Sequence, residues 1–138
     1  MHDLAILFRA AQFVAHERHQ LISGPSFVAD HEFLGELYAA YEAAYDATVE
    51  RMIGLQQPVD PASITLDGAT LASQFSSNHD VNVWPSSLQT VELRLRRQID
   101  AALKDKGVSA GTANFLQGLA DESEARSYKL LRRSGNNK

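Results

Sequence analysis

The sequence predicts an all-α protein: a four-helix bundle with a long crossover between the second and third helices that carries a short helix. Apolar residues recur every three or four positions in four separate segments, as they do on one face of an α-helix. Short turns join the first segment to the second and the third to the fourth. A long polar stretch over residues 58–85 separates the two pairs, and a stretch of that length is expected to hold some structure of its own.

Length and composition favour a single domain over residues 1–138, with the bundle over about 4–131 and a flexible basic tail over 132–138. The chain has 138 residues, of which 44% are hydrophobic, and this suits one compact core. It has no cysteine, which excludes disulfide scaffolds and thiolate metal sites. Apolar runs are too short for a membrane span, and the start lacks the basic residues of a signal peptide. We therefore expect a cytoplasmic protein with no membrane partner.

The first predicted helix covers residues 4–21 and the second covers residues 26–55. The turn between them contains Pro25, which disfavours helix in the residue before it. In the second helix only Gly35 interrupts the helical pattern, at a cost of about 1 kcal/mol relative to alanine. A helix of this length reaches about 45 Å.

The crossover is predicted to carry a short helix over residues 66–75, capped by Asp67, and to be extended elsewhere, including Trp84 and Pro85. The third helix then begins after residue 86 or 87. We expect Gly107 to adopt the left-handed conformation after its end.

The fourth helix is predicted over residues 109–131, with Tyr128 among its inward-facing residues. Two hairpins of helices joined by a long central link describe the topology of ferritin-like folds. The predicted fold is therefore a ferritin-like four-helix bundle.

The second helix carries six carboxylates and no Lys or Arg between Asp30 and Glu50. At 100° per residue, four side chains that can ligate metal fall within one arc of about 100° beside the apolar stripe: His31, Glu42, Asp46 and Glu50. An unpaired carboxylate cluster next to a packed surface is costly unless a cation is present. Charge alone leaves a solvated acidic face as the alternative.

Histidine together with carboxylate suits iron, zinc or manganese. His31 and Asp46 lie roughly 22 Å apart along one helix, so they cannot share a metal within one chain. Two copies of this helix, crossed antiparallel near residue 40, would bring His31 of one copy towards Asp46 and Glu50 of the other. The same face has a ridge of small residues that would let two backbones approach: Gly35, Ala39, Ala43 and Ala47. Although alanines are also simply good helix formers, we favour a two-fold interface.

His19 and His31 are separated by twelve residues, and Asp46 and Glu50 follow as an Asp-x-x-x-Glu pair. This pattern, over the stretch from His19 to Arg51, resembles the signature of the Dps mini-ferritins. In that family a histidine of the first helix is followed twelve residues later by one of the second, and an Asp-x-x-x-Glu pair closes the pattern. The helix lengths and the long central connection extend a weaker likeness to about residue 131.

The resemblance implies a hollow homo-oligomeric cage, a dodecamer built from two-fold dimers, that binds ferrous iron, oxidises it and stores it as ferric mineral. The ligands would be His19 and His31 of one chain with Asp46 and Glu50 of its two-fold mate. Further candidate ligands are Glu42 and His16, the latter otherwise a solvated surface histidine. Zinc or another divalent metal could substitute for iron.

Two positions depart from the family pattern. Gly35 stands where the family has an aspartate four residues after the second histidine, and Gln20 stands where a tryptophan usually follows the first. The site is therefore one carboxylate short, which weakens the ferroxidase prediction. The alternative is a structural or DNA-protecting shell with a degenerate ferroxidase site.

DNA contact has thin support, from a short basic end comprising Arg132, Arg133 and Lys138. These residues could contact phosphates, but basic residues in a last turn also complement the helix dipole. His79 is expected to be a loop residue of the crossover. Three tyrosines of the second helix are interpreted as core, with electron relay as the alternative: Tyr38, Tyr41 and Tyr45.

Overall fold

The computed structural model describes residues 1–77 and 80–135. The chain forms five α-helices within these ranges: α1 (His2–Leu21), α2 (Phe27–Gly54), α3 (Pro61–Phe75), α4 (Trp84–Leu103) and α5 (Ala110–Ser134). A short 3₁₀ turn over Val81–Val83 precedes α4, and the described ranges contain no strand. The all-α prediction is confirmed. His79 and Lys138, named in the sequence analysis, lie outside the described residues.

The first two helices pack side by side in opposite directions. The Arg9 guanidinium lies 3.6 Å from the centre of the Tyr45 ring, and the rings of His16 and Tyr38 are 4.4 Å apart at the other end of the pair. Both helices lie close to their predicted bounds, because their apolar spacing is regular and the turn between them is sharp. Gly24 in that turn has a φ of 98°, a left-handed conformation that glycine adopts without strain.

The crossover helix α3 begins earlier than predicted. The Asp60 side chain accepts hydrogen bonds from the backbone N–H groups of Ala62 and Ser63 at 3.2 and 3.3 Å, so Asp60 is the N-cap. Pro61 occupies the first turn, where its missing N–H costs nothing. Asp67, the predicted cap, lies inside the helix, and that prediction was wrong.

Close contact with α1 holds α3 in place. Ile64 and Ala72 are buried in the common core, and a Cβ added at Gly68 would lie 2.8 Å from the Arg9 side chain. Arg9 also donates a hydrogen bond to the Thr65 hydroxyl at 3.2 Å. The crossover is therefore packed against the bundle along most of its helical part.

The start of α4 differs from the prediction. Trp84 and Pro85 were predicted to be extended, but they form its first turn, and Trp84 is fully buried. Proline is tolerated there because the first-turn N–H groups have no partner within the helix. Gly107 was also predicted wrongly: among the described glycines only Gly24 and Gly135 have positive φ, and Gly135 follows α5.

The last helix extends to Ser134, beyond the predicted end of the bundle, so Arg132 and Arg133 are helical and not part of a flexible tail. Tyr128 was predicted to face inward, but 65% of its surface is exposed. Polar residues take inward positions on this helix, whose buried members are Thr112, Leu116, Leu119, Ser123, Arg126 and Leu130.

The helices form two pairs, α1 with α2 and α4 with α5, which meet where α1 contacts α4 and α2 contacts α5. The crossover leaves the end of α2 and enters α4 beside the start of α2, where the Phe33 and Trp84 rings are 5.9 Å apart. In the described part of the chain, no helix is both long enough and apolar enough to cross a membrane.

Candidate metal centre

His19 near the end of α1 and His31 near the start of α2 form a close pair. Their rings stack with centres 3.7 Å apart and planes 22° apart. His19 Nδ1 lies 2.8 Å from the backbone oxygen of His31, and His31 Nδ1 lies 3.0 Å from the backbone oxygen of His19. The sharp turn between the helices brings these two histidines together.

These two hydrogen bonds fix the protonation of the neutral rings. A backbone oxygen can only accept, so each Nδ1 must carry the hydrogen and donate it. In the neutral form each Nε2 is then left with a free lone pair. Histidines that ligate metals are held in the same way, with the second ring nitrogen donating to a carbonyl or carboxylate. Both residues are only partly buried, so solvent reaches part of the pair.

The stacking also constrains how metal could be bound. A metal bound to imidazole lies near the plane of the ring, about 2.0–2.1 Å from the nitrogen for zinc. Because the His19 and His31 rings are nearly parallel and stacked, a single ion cannot lie in both planes at once. The pair therefore suits neighbouring coordination positions, one for each imidazole.

Aromatic side chains surround the pair on both helices. The Phe27 ring stacks on His31 with centres 4.9 Å apart, and the Tyr38 ring meets His19 edge-on at 5.1 Å. His16 contacts Tyr38, and its ring centre is 6.3 Å from that of His19. His16 is exposed, so the structure brings it near the pair without giving it a fixed place there.

Gly35 lies against the His19 ring. A Cβ built on Gly35 would lie 3.4 Å from His19 Cε1 and 3.5 Å from Nδ1. These distances are close to ordinary van der Waals contact, so a short side chain fits there with little adjustment. Position 35 thus borders the pair, as the spacing of one helical turn after His31 predicted.

The predicted carboxylate ligands lie elsewhere. Glu42, Asp46 and Glu50 are exposed on α2, and none forms an ion pair with any side chain that the structure describes. Asp46 is roughly 22 Å from His31 along the helix axis. Over residues 1–77 and 80–135 no group of three or more His, Asp or Glu side chains is close enough to hold a metal ion. A single chain therefore brings together the two histidines but not the carboxylates.

One of the six acidic residues of α2 has a partner that the sequence did not indicate. Asp30 is buried and receives two hydrogen bonds of 2.6 Å from the guanidinium of Arg133 on α5. Arg133 also lies 5.5 Å from the centre of the Trp84 ring. The bonds to Asp30 raise the pKa of Arg133 above its usual value. The Arg133 guanidinium, predicted as a candidate DNA contact, is therefore engaged within the chain.

A second polar cluster lies inside the bundle. The fully buried Glu92 carboxylate accepts hydrogen bonds from the Tyr41 hydroxyl at 2.6 Å, from the Ser123 hydroxyl at 2.5 Å and from Arg126 Nε at 2.5 Å. The Arg126 guanidinium also lies 5.0 Å from the centre of the Tyr41 ring. We call these four residues the Glu92 cluster; it joins α2, α4 and α5.

The pKa values within the Glu92 cluster follow from its burial and charges. Burial, and then the Glu92 carboxylate, raises the pKa of Tyr41 well above its usual value. Burial alone would lower the pKa of Arg126, but Glu92 outweighs it and raises that pKa. Tyr41 is therefore neutral and Arg126 charged at neutral pH.

Sequence reasoning missed the Glu92 cluster, although a signal was present. Glu92 falls four residues after Leu88 and three before Leu95, which places it on the apolar stripe of α4. Ser123 falls four residues and Arg126 seven residues after Leu119, which places both on the apolar stripe of α5. A charged residue at a core position of one helix predicts a polar partner at a core position of another.

Comparison with protein-family models, curated proteins and solved structures finds no significant match for this chain.

Proposed function

We propose that this chain is a Dps-like mini-ferritin, a ferritin-like bundle that assembles from two-fold dimers into a cytoplasmic cage. In this proposal the cage binds ferrous iron between subunits, oxidises it with peroxide or oxygen, and stores ferric mineral. His19 and His31 of one chain and Asp46 and Glu50 of its mate are the proposed ligands. Iron is here the substrate and cargo.

The observation that carries the proposal is the pair of Nδ1 hydrogen bonds between His19 and His31. A packing role would need no particular ring nitrogen to stay free. In the neutral rings the reciprocal bonds instead place the hydrogen on Nδ1 and leave the Nε2 lone pair free. Such preorganisation lowers the cost of binding a metal, because the rings need not be ordered or change tautomer on binding.

The positions of the Asp46 and Glu50 carboxylates support a site that is divided between two chains. They are exposed, lack described ion-pair partners and lie too far from the histidines for one chain to use both. The small residues between the two ligand sets leave a low ridge, on which Ala39 and Ala43 are exposed. A second copy of α2 crossing there would place carboxylate oxygens beside imidazole nitrogens, a donor set that suits both oxidation states of iron.

The helix order adds support for the ferritin-like topology. Two antiparallel pairs are joined by a crossover that begins at the end of α2 and enters α4 beside the start of α2. Bundles with one long crossover of this kind are characteristic of ferritin-like folds. The alternative of DNA protection gains no support from Arg133, because its guanidinium is paired with Asp30.

The proposal is tested by light scattering together with an anaerobic titration of ferrous iron. We expect an obligate oligomer that binds iron, and loss of rapid iron oxidation in the variant Asp46→Ala/Glu50→Ala. The matched control is Glu32→Ala/Glu36→Ala, which removes the same number of exposed carboxylates from the same helix.

Three results would count against the proposal. A stable monomer at micromolar concentration would overturn it. Parent-rate oxidation in Asp46→Ala/Glu50→Ala would place the site elsewhere. A stable oligomer that takes up no iron would favour the alternative of a structural shell with a degenerate site.

A further inference from the structure

We propose that a cavity at one end of the bundle binds an apolar amino acid, with its ammonium group at Asp105 and its carboxylate at the hydroxyls of Ser109 and Thr112. The cavity has a volume of about 300 Å³ and lies where α1 begins, α2 ends and the turn after α4 enters α5. None of the described residues on its wall is a proposed iron ligand. The inference therefore goes beyond the proposed function and does not rest on it.

The end of α2 forms one wall of the cavity. Gln56 has a φ of 59°, its N–H donates to the Ile53 oxygen at 2.9 Å, and the N–H of Gln57 donates to the Met52 oxygen at 3.0 Å. A left-handed residue with these two bonds is the Schellman form of a helix end. Leu55 and Gln57, on either side of this residue, both line the cavity, and 42% of the Leu55 surface is exposed. Apolar surface is therefore left at the cavity for a ligand to cover.

The lining combines apolar side chains with a few polar ones. Leu116 is fully buried and Val108 is half-buried, and together with Leu55 they give the cavity aliphatic surface. Small-ligand sites usually have this composition, with volumes from about 300 Å³ upwards. The cavity is also more enclosed than the two grooves along α2 and α5. Its size and lining therefore suit a small ligand with an aliphatic body.

Ser109 and Thr112 supply a hydrogen-bond donor to the cavity. Ser109 Oγ accepts a hydrogen bond from the Thr112 N–H at 3.2 Å, and the two hydroxyl oxygens are 3.1 Å apart. Two hydroxyls carry two hydrogens and only one can lie between them, so the other has no acceptor among the described residues. Only 5% of Thr112 is exposed, and a buried donor without an acceptor is costly. The pair therefore favours a ligand that presents an acceptor, such as a carboxylate oxygen.

Asp105 supplies a negative charge to the same cavity. Its Oδ1 accepts a hydrogen bond from the Gly107 N–H at 3.1 Å, and its carboxylate forms no ion pair with any side chain that the structure describes. No Lys or Arg is among the described residues that line the cavity. The carboxylate therefore favours a cationic group in the ligand. An aliphatic α-amino acid is a small molecule that combines this group with an acceptor and an apolar body.

The test compares three probes that share one branched aliphatic body. They are L-leucine, 3-methylbutylamine, which lacks the carboxylate, and 4-methylpentanoate, which lacks the ammonium group. Calorimetry on the full chain in its native oligomeric state, at neutral pH and without metal, measures the three affinities. We expect leucine to bind about tenfold more tightly than either of the other probes, the lower end of what a hydrogen bond to a charged group contributes.

Two variants separate the two ends of the ligand. Asp105→Asn should weaken leucine binding about tenfold, to the affinity of 4-methylpentanoate, and should not weaken binding of 4-methylpentanoate itself. Thr112→Val keeps the shape of the side chain and should weaken binding of leucine and 4-methylpentanoate but not of 3-methylbutylamine. The matched control is Asp100→Asn, which neutralises an exposed carboxylate of α4 that does not line the cavity and should leave all three affinities unchanged.

Three results would overturn the inference. Leucine that does not bind up to about 10 mM, or three probes of equal affinity, would mean that the cavity does not recognise both charged groups. Parent affinity for leucine in Asp105→Asn would remove the carboxylate from the site. An equal loss in Asp100→Asn would mean that the overall charge of this end of the bundle, and not a contact in the cavity, sets the affinity.

Discussion

The His19–His31 pair and the Glu92 cluster are both groups of polar side chains held by several helices, but they differ in what they leave free. Glu92 is fully buried, and both of its oxygens accept hydrogen bonds from the chain itself. His19 and His31 each use one ring nitrogen within the chain and keep the other available at a partly open surface. The two regions therefore differ in the ring nitrogens that the pair leaves free, because the Glu92 cluster leaves no carboxylate oxygen without a hydrogen bond.

This difference fits a structural role for the cluster and the binding role that the proposed function gives to the pair. A buried carboxylate that is fully satisfied stabilises one arrangement of α2, α4 and α5, and losing a partner leaves an uncompensated charge. Each histidine of the pair is held by a hydrogen bond at Nδ1, and its Nε2 makes no hydrogen bond within the described chain. Substitutions in the cluster should therefore change stability, and substitutions in the pair should change iron binding.

The largest expected effect is on the Glu92 cluster. Glu92→Ala leaves the Arg126 guanidinium buried without its carboxylate, which should lower the free energy of unfolding by about 3–5 kcal/mol. Urea unfolding measures this, with the exposed Glu124→Ala as the control that should change by less than about 0.5 kcal/mol. Equal small effects of the two changes would mean that the cluster does not hold the bundle together.

The opposite pattern is expected at the pair. His19→Ala/His31→Ala should weaken ferrous iron binding by more than about 100-fold, since loss of an outer-shell partner alone costs roughly 10–100-fold. Each lost hydrogen bond should lower stability by only about 1 kcal/mol. Anaerobic calorimetry beside urea unfolding checks both, with His2→Ala as control. Iron binding at the parent affinity would remove the pair from the site.

A gain of function would sharpen the comparison further. Gly35→Asp adds a carboxylate beside the His19 ring, where a Cβ fits at 3.4 Å, and should tighten iron binding by about tenfold, or roughly 1.4 kcal/mol. Gly35→Ala makes the same backbone change without a ligand and is the control. Equal affinity of the two variants, or dissociation of the oligomer in both, would mean that Gly35 serves packing.

The smallest expected effect is on how the stability of the protein depends on pH. Because the pKa of Tyr41 is raised in the folded state, its contribution to stability is complete below the unfolded pKa near 10 and is lost as pH rises towards the folded value. Tyr41→Phe should cost about 1 kcal/mol at neutral pH and flatten the fall in stability above about pH 10. Urea midpoints from neutral to alkaline pH test this, beside the exposed Tyr128→Phe. An unchanged alkaline slope in Tyr41→Phe would contradict the assignment.

The apolar pattern was enough to predict the helices but not all of their ends. The spacing of the apolar residues predicted the bounds of α1 and α2 closely, because apolar residues at regular intervals of three and four positions indicate a helix. The start of α3 depends on which residue caps it, and the sequence analysis chose Asp67 although the cap is Asp60. Asp60 is the N-cap, and the residue after it is Pro61, which suits the first turn of a helix.

The polar contacts between distant parts of the chain could not be predicted from spacing within one helix. Arg133 and Asp30 are 103 residues apart, and Arg126 and Glu92 are 34 apart, so only the packing of the helices brings them together. Tyr128 was predicted to face inward with the apolar residues of its helix, whereas Ser123 and Arg126 face inward and bind the Glu92 carboxylate. The nearness of His19 and His31 was expected only from the resemblance, and the turn between α1 and α2 is what brings the two rings together.

The central claim is that one iron site takes its histidines from one chain and its carboxylates from another. It is tested most directly by co-assembling His19→Ala/His31→Ala with Asp46→Ala/Glu50→Ala and measuring the rate of iron oxidation. A mixed two-fold dimer has one intact site and one site that lacks both ligand sets. Random pairing should therefore restore about a quarter of the parent rate, although each variant alone is inactive. A mixture no more active than its components, with mixed dimers present, would contradict the claim.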